Sequence, residues 1–372
     1  MDADYLLHDP AAVLSPGLLF YRDLIRRNIA RLVARAGDPR RLRPHVKTHK
    51  TREIVRLELE AGIVKHKCAT IAEAELLAQA GALDVLLAYP VVGPNIGRLV
   101  RLVERYDGCR FATVVDHPLA AQALAEAMGR AGRSVDVLLD LDVGQRRTGI
   151  APGASAVQLY ETLARLPGLA PGGLHVYDGH NHQHPLEERR QAVERLLTPV
   201  RELHETLTKK HLPVPRIVLG GTPTFPIYAE LDWPAAELSP GTCVLGDANY
   251  QARYADLADF RPAALVLTRV VSRPAPRRVT FDLGTKAVAS DPPAGRRCVL
   301  LDLPDAQAVL HNEEHLVIET EAAERYRPGD VAYAMPAHIC PTTALHRFAT
   351  VIEAGRVVDQ WEIVGRDRML TV

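Results

Sequence analysis

The sequence predicts an α/β protein, a (β/α)8 TIM-type barrel followed by an all-β domain. Three observations carry this reading. Short β-rich runs alternate with amphipathic helical stretches as far as about residue 250. Beyond that point helical periodicity fades, and short strands punctuated by Pro and Gly take over. Finally, no G-x-G-x-x-G follows the first strand, which argues against a dinucleotide-binding doubly wound sheet.

In order, the strands are read at 18–21 (LLFY), 42–47 (LRPHVK), 62–70, 85–91, 111–116, 135–143, 173–179 and 216–221. Amphipathic segments at 25–37, 71–82 and 186–210 supply helices between them. The barrel is placed at residues 15–250. Residues 251–372, with 1–14 packed on them, form the β domain; its strands include CVLLDL, HLVIET and DVAYAMPAH.

Composition narrows the function. With 45 basic and 45 acidic residues the formal charge is zero, so the basic surplus of a nucleic-acid binder is missing. No apolar run approaches the roughly 18–20 residues of a membrane span. The N-terminus, MDADYLLHDP, lacks the basic start of a secretory signal. A cytoplasmic protein with a small-molecule substrate is expected. The five cysteines, at 68, 109, 243, 298 and 340, are odd in number and scattered, as reduced thiols would be.

Chemistry concentrates at strand ends. Lys47, in RPHVKTHK (43–50), closes the second strand, and C-terminal strand ends make the active face of such barrels. Desolvation and the cationic neighbour Lys50, with His45 or His49 as a further one, favour loss of its proton, as a Schiff-base amine requires. In LGGTPTF (219–225), Gly220 and Gly221 allow backbone N–H groups close to an anion, and Thr222 and Thr224 add hydroxyls. A strand-end lysine with a phosphate cradle points to pyridoxal 5′-phosphate.

Three further groups follow. HVYDGHNH (175–182) offers Tyr177 to the cofactor or substrate and His180 as a base or contact, with His182 and His184 read as loop residues. DLDVGQRRTG (140–149) offers Arg146 or Arg147 to the cofactor. In PAHICPTTALH (336–346), His338 and Cys340 are two apart, so on an extended segment both leave one face. Imidazole with thiolate suits Zn²⁺.

Together RPHVKTHK, HKCAT with EAE, HVYDGH, GGTPT, ELSPGTCVLGD (237–247) and HICPT resemble the D-serine dehydratase / D-threonine aldolase family. These are fold-type III pyridoxal-phosphate enzymes with an alanine racemase-like barrel and a D-serine dehydratase-like metal-binding domain. The resemblance implies a lyase for D-3-hydroxy amino acids that works as a homodimer. It makes Lys47 the Schiff-base lysine and Gly221 and Thr222 phosphate ligands, with Tyr177 and Arg147 at the cofactor. Glu237, Pro240 and Gly241 would form a rim beside the phosphate, closed by Asp247 and Tyr250. His338 and Cys340 would hold a divalent metal, Zn²⁺ ahead of Mn²⁺ or Mg²⁺. Cys340 tilts the expectation toward dehydration to a 2-oxo acid and ammonia, while the following Pro341-Thr342 looks like the aldolase version. A racemase would need a Tyr acid from the β domain, for which Tyr326 and Tyr333 are present but in unfamiliar segments. A non-enzymatic cofactor carrier would lack the β domain.

Overall fold

The computed structural model describes residues 2–372, which divide into two units. The barrel unit comprises Leu32–Lys47, Val55–Gly241 and Asp367–Val372; the sheet unit comprises the residues up to Arg31, Thr48–Ile54 and Thr242–Arg366.

The first strand, β1 (Gly17–Tyr21), does not enter the barrel. It runs antiparallel to residues 264–267 and parallel to 349–352, inside the sheet of the sheet unit. The sequence places LLFY first in the barrel; a short, wholly apolar run fits the middle of either sheet, so periodicity does not separate them. Helix α1 (Arg22–Ala36) follows.

Barrel staves and helices then alternate: α2 (Arg52–Glu60), β2 (Lys65–Cys68), α3 (Ile71–Ala80), β3 (Asp84–Pro90), α4 (Pro94–Arg105), β4 (Arg110–Val115), α5 (Pro118–Arg130), β5 (Val135–Asp140), α6 (Ala154–Leu163), β6 (Leu169–Val176), α7 (Leu186–Lys209), β7 (Ile217–Leu219), α8 (Phe225–Ala229) and β8 (Ala236–Leu238). The seven strands β2 to β8 pair in sequence order, all parallel. Residues 42–45 close the ring as an eighth stave. Arg43 N–H donates to Leu238 O at 2.8 Å, His45 N–H to Pro240 O at 2.9 Å, and Lys67 N–H to Pro44 O at 2.8 Å. Pro44 has no N–H to offer, so this stave keeps only isolated bridges, Leu42 to Leu238 and His45 to Lys67. The eight-stave barrel stands, with its members corrected: 236–238 enters and 18–21 leaves.

Local signals explain the helix bounds. Thr70 caps α3 through its hydroxyl to Glu73 N–H at 3.0 Å, Glu73 returns a carboxylate oxygen to Ala69 N–H at 2.7 Å, and Gly81 ends the helix at φ +100°. Prolines open α4 and α5 at their first position.

Leu86, Ala112, Val114, Leu138 and Val218 form a buried cluster in the barrel sheet. Its floor, where the staves begin, is a ladder of charges. Arg43, fully buried, meets Glu237 at 2.5 Å and Asp84 at 2.7 Å; Lys65 meets Glu237 at 2.7 Å; Arg216 bonds to Asp136 and reaches Asp84 at 3.4 Å. Glu237 therefore belongs to the floor and not to a phosphate rim.

In the sheet unit, α9 (Ala248–Arg253) precedes β9 (Ala264–Ala275), β10 (Arg278–Phe281), β11 (Cys298–Leu300), β12 (Gln307–His311), β13 (Leu316–Glu319), β14 (Val331–Pro336), α10 (Ile339–Leu345), β15 (Phe348–Glu353) and β16 (Arg356–Glu362). Its strand order is β12-β13-β10-β9-β1-β15-β16, with β14 pairing β9 and β11. The five cysteines are free thiols. No helix among the described residues is long and apolar enough to cross a membrane.

Candidate functional site

In the barrel unit the chemistry gathers around the Tyr177 ring, just past the end of β6. Lys47 Nζ lies 5.8 Å from its centroid, Lys67 Nζ 5.7 Å and the Arg147 guanidinium carbon 5.0 Å. Lys47 sits in a 3₁₀ turn, Val46–Thr48, directly after the first stave. The open choice between the two arginines is decided by the backbone. Arg146, at φ +55°, gives its N–H to Asp142 Oδ1 at 2.9 Å, and the next residue, Arg147, turns to the ring. Two amines and a guanidinium around one aromatic ring make a site for an anion.

The glycine turn after β7 has the matching form. Gly220 adopts φ +68°, and a Cβ there would lie 2.4 Å from the Tyr228 ring. At Gly221 a Cβ would lie 3.2 Å from the Tyr177 ring, so only glycine leaves the turn open on that side. Gly221 N–H has a long contact, 3.4 Å, to Thr224 Oγ1, while Thr222 Oγ1 accepts Gly241 N–H at 3.1 Å. Buried Asp178 braces the turn, accepting from Tyr228 OH at 2.8 Å, Thr224 OH at 3.0 Å and Asn181 at 3.4 Å. Burial outweighs these bonds and raises its carboxyl above the usual range. The donors, the cations and the small cradle fit a phosphate-bearing aldehyde.

Below the ring, His175 Nδ1 meets Asp140 Oδ1 at 2.7 Å, both buried. Burial holds the imidazole below its ordinary value despite that partner. His175 Nε2 is buried with no hydrogen-bond partner. Burial first, and then the charge of Lys47, push the Lys67 amine down to about 7. Sequence reasoning passed over Lys67, His175, Asp140 and Asp178. Alternation along β6 puts 175 on the same face as 177 and could have found His175.

The histidines of RPHVKTHK do not act as expected. His45 Nδ1 accepts Lys47 N–H at 3.3 Å, and His49 Nδ1 accepts Thr51 N–H at 3.2 Å. Both rings thus brace backbone turns. Lys50 Nζ donates to Gly365 O at 3.3 Å. His180 stands against the 142–144 turn, where a Cβ on Gly144 would come within 2.9 Å of its Nε2. With Asp142, Gln183 and Arg195 it lines an open pocket.

In the sheet unit, His338 and Cys340 do not share an extended strand. His338 is the cap residue of α10 and Cys340 lies in its first turn. Imidazole and thiol are hydrogen-bonded to each other, and His338 Nδ1 also meets Asp291 Oδ2 at 2.5 Å. Burial works against the imidazolium, but Cys340 and Asp291 together raise His338 to about 9. Thr48 Oγ1 lies 3.2 Å and Thr242 Oγ1 3.9 Å from Cys340 Sγ. Buried Asp247 accepts Ile339 N–H at 3.3 Å and caps α9 through Tyr250 N–H at 2.9 Å. The Tyr250 ring packs on Tyr254, 5.7 Å between centroids. No group of three His, Cys, Asp or Glu side chains among the described residues forms a complete metal cage. A neighbouring nitrogen and sulfur fit a divalent cation held at two points, with other positions left for water or substrate.

Comparison with known proteins agrees with this division. Residues 21–249 match the alanine racemase N-terminal domain, and 263–352 match a putative serine dehydratase domain. The chain is 32% identical to a D-threonine aldolase of Arthrobacter sp., over 87% of this chain and 85% of that one. It is 28% identical to a D-threo-3-hydroxyaspartate dehydratase of Delftia sp. strain HT23, over 96% and 97%. A cysteine-to-alanine variant of an enzyme of that name has been solved in a metal-free form, with a TM-score of 0.83, 25% identity and coverage of 94% and 97%. The crystal structure of a D-threonine aldolase from Filomicrobium marinum superposes with a TM-score of 0.88 at 29% identity, covering 96% and 97%. The chain belongs to the D-serine dehydratase / D-threonine aldolase family of fold-type III pyridoxal-phosphate enzymes.

Proposed function

We propose that the protein is a pyridoxal-phosphate- and divalent-metal-dependent lyase that dehydrates D-3-hydroxy amino acids to a 2-oxo acid and ammonia. The observation that carries the reading is the imidazole–thiol pair His338–Cys340, the donor set for a cation that can act on a β-hydroxyl. The thiol favours Zn²⁺ over Mn²⁺ or Mg²⁺. When bound, pyridoxal phosphate supplies an electron sink for the bond broken at Cα.

The chain's own residues do the rest. Lys47 would hold the cofactor's aldehyde, and its side-chain amine is the base that would take a proton from the substrate's Cα. The Gly221 N–H and the Thr222 backbone receive the phosphate at the turn that Asp178 braces. Arg147 and Tyr177, packed on each other, would flank the cofactor, with Arg147 adding positive charge to its pocket. Cys340 and His338 fix the cation, with Thr48 supporting the sulfur.

A second reading has its own support: the 32% identity to the Arthrobacter D-threonine aldolase favours retro-aldol cleavage to glycine and an aldehyde. One assay separates the two. Purified enzyme with pyridoxal phosphate and Zn²⁺ or Mn²⁺ is offered D-serine, D-threonine and D-3-hydroxyaspartate, and 2-oxo acid, ammonia and glycine are measured together. Oxo acid with equal ammonia and no glycine is expected. Glycine with an aldehyde makes the enzyme an aldolase, and neither product from any substrate removes the lyase reading.

A further inference from the structure

We propose that Lys67 is a second amine of the cofactor site, accepting the proton that Lys47 must lose before it can join the cofactor's aldehyde. This rests on the cofactor reading given above.

The placement comes from β2. Strand alternation turns Lys65 and Lys67 to one face and His66 to the other, where His66 Nε2 lies 3.2 Å from Glu58 on α2. Lys65 reaches the floor and pairs with Glu237 at 2.7 Å. Two residues on, roughly 6.6 Å further along the strand, Lys67 is 2% exposed and shares the Tyr177 ring with Lys47.

Unlike Lys65, Lys67 makes no ion pair among the described residues. The acids that act on it are committed elsewhere: Asp140 to His175, and Asp178 to Tyr228 and Thr224. The cations Lys47 and Arg43 repel its charge, and Arg43 is itself held by Glu237 and Asp84. His175 is biased to its neutral form. A buried ammonium without a counter-ion is costly, so burial brings loss of the Lys67 proton down into the neutral range, at about 7.

The step is balanced within the pair. Lys47 ammonium passes one proton to the Lys67 amine, leaving Lys47 neutral and Lys67 charged. The Lys47 nitrogen lone pair then bonds to the aldehyde carbon, and the aldehyde oxygen leaves as water with the two amine hydrogens. An arriving phosphate ester brings negative charge that favours the newly charged Lys67.

The test reads cofactor uptake and not turnover. Cofactor-free wild type, Lys67→Met and Lys67→Arg are mixed with pyridoxal phosphate, and growth of the visible band is followed by stopped flow from pH 5.5 to 9.5. In wild type the rate should rise through a midpoint near the Lys67 value of about 7. Lys67→Met should slow uptake at neutral pH by about tenfold or more and move the midpoint up by over about one pH unit, toward an ordinary lysine. Lys67→Arg keeps a charge but accepts no proton, and should be equally slow. Circular dichroism and equal final band amplitude verify the fold, and Lys67→Gln serves if the Met variant aggregates. Wild-type rate and midpoint in Lys67→Met would overturn the proposal. So would a slow Met variant beside a wild-type-like Arg variant, because charge alone would then explain the effect. Absence of any band in wild type would remove the cofactor reading itself, and this proposal with it.

Discussion

The Thr48 hydroxyl lies 3.2 Å from the Cys340 sulfur, and Thr48 is bonded directly to Lys47. Gly241 N–H donates to Thr222 of the glycine turn, and the next residue, Thr242, has its hydroxyl 3.9 Å from the same sulfur. Thr48 and Thr242, both in the sheet unit, thus set two hydroxyls near the same sulfur.

Cys340→Ala should therefore lose bound metal while the visible cofactor band persists. Thr48→Val, which removes only the hydroxyl beside the sulfur, should weaken metal affinity by about tenfold. Elemental analysis after dialysis against graded chelator, read beside the visible spectrum, checks both. Full metal retention in Cys340→Ala would rule out the sulfur as a ligand.

The two glycines of the cradle should separate folding from binding. Gly220→Ala puts a Cβ at φ +68° and 2.4 Å from Tyr228, so the protein should be destabilised by about 2 kcal/mol or more. Gly221→Ala meets only the Tyr177 ring edge at 3.2 Å. It should fold with a Tm near wild type yet bind pyridoxal phosphate about tenfold more weakly. Thermal melts of the cofactor-free protein and titration of the visible band measure the two effects independently.

Arg43 is the keystone of the floor. Its replacement by Met leaves Glu237 with Lys65 and Asp84 with only the longer Arg216 contact, with an expected loss of about 3 kcal/mol or less in urea unfolding. Adding Glu237→Gln to that variant should recover part of the loss, because a neutral amide is cheaper to leave buried.

Lys67 should make the stability of the cofactor-free protein depend on pH. Its folded value of about 7 lies below the unfolded value of about 10.5, so between these values the unfolded chain binds more protons. Stability then rises from pH 7 to pH 10, and the cost of burying the ammonium is felt in full below pH 7. Lys67→Met should abolish this contribution and stabilise the protein at pH 6.5 by a few kcal/mol, on the order of 3. Urea midpoints at pH 6.5 and 9.5 for both proteins provide the check; parallel pH curves would contradict it.

Much of this protein was legible in its sequence. Alternating apolar runs and amphipathic segments gave the barrel, and the change of texture near residue 250 gave the second sheet. Chemical type, local spacing and the family resemblance proposed Lys47, Tyr177, Gly221, Thr222, His338 and Cys340, because a strand end or a glycine turn is a local property. The tertiary structure alone decided three matters. It assigned LLFY to the sheet and Ala236–Leu238 to the barrel, since an apolar run pairs with whichever neighbour completes its hydrogen bonds. It turned Arg147 and not Arg146 to the Tyr177 ring, through a positive φ and one backbone bond to Asp142. It also brought Lys67 to the same Tyr177 ring as Lys47, twenty residues away in the chain, and tied His45 and His49 to backbone N–H groups. Residue type and short-range period are written in the chain, but proximity across a barrel and its effect on a buried charge arise only when the strands close.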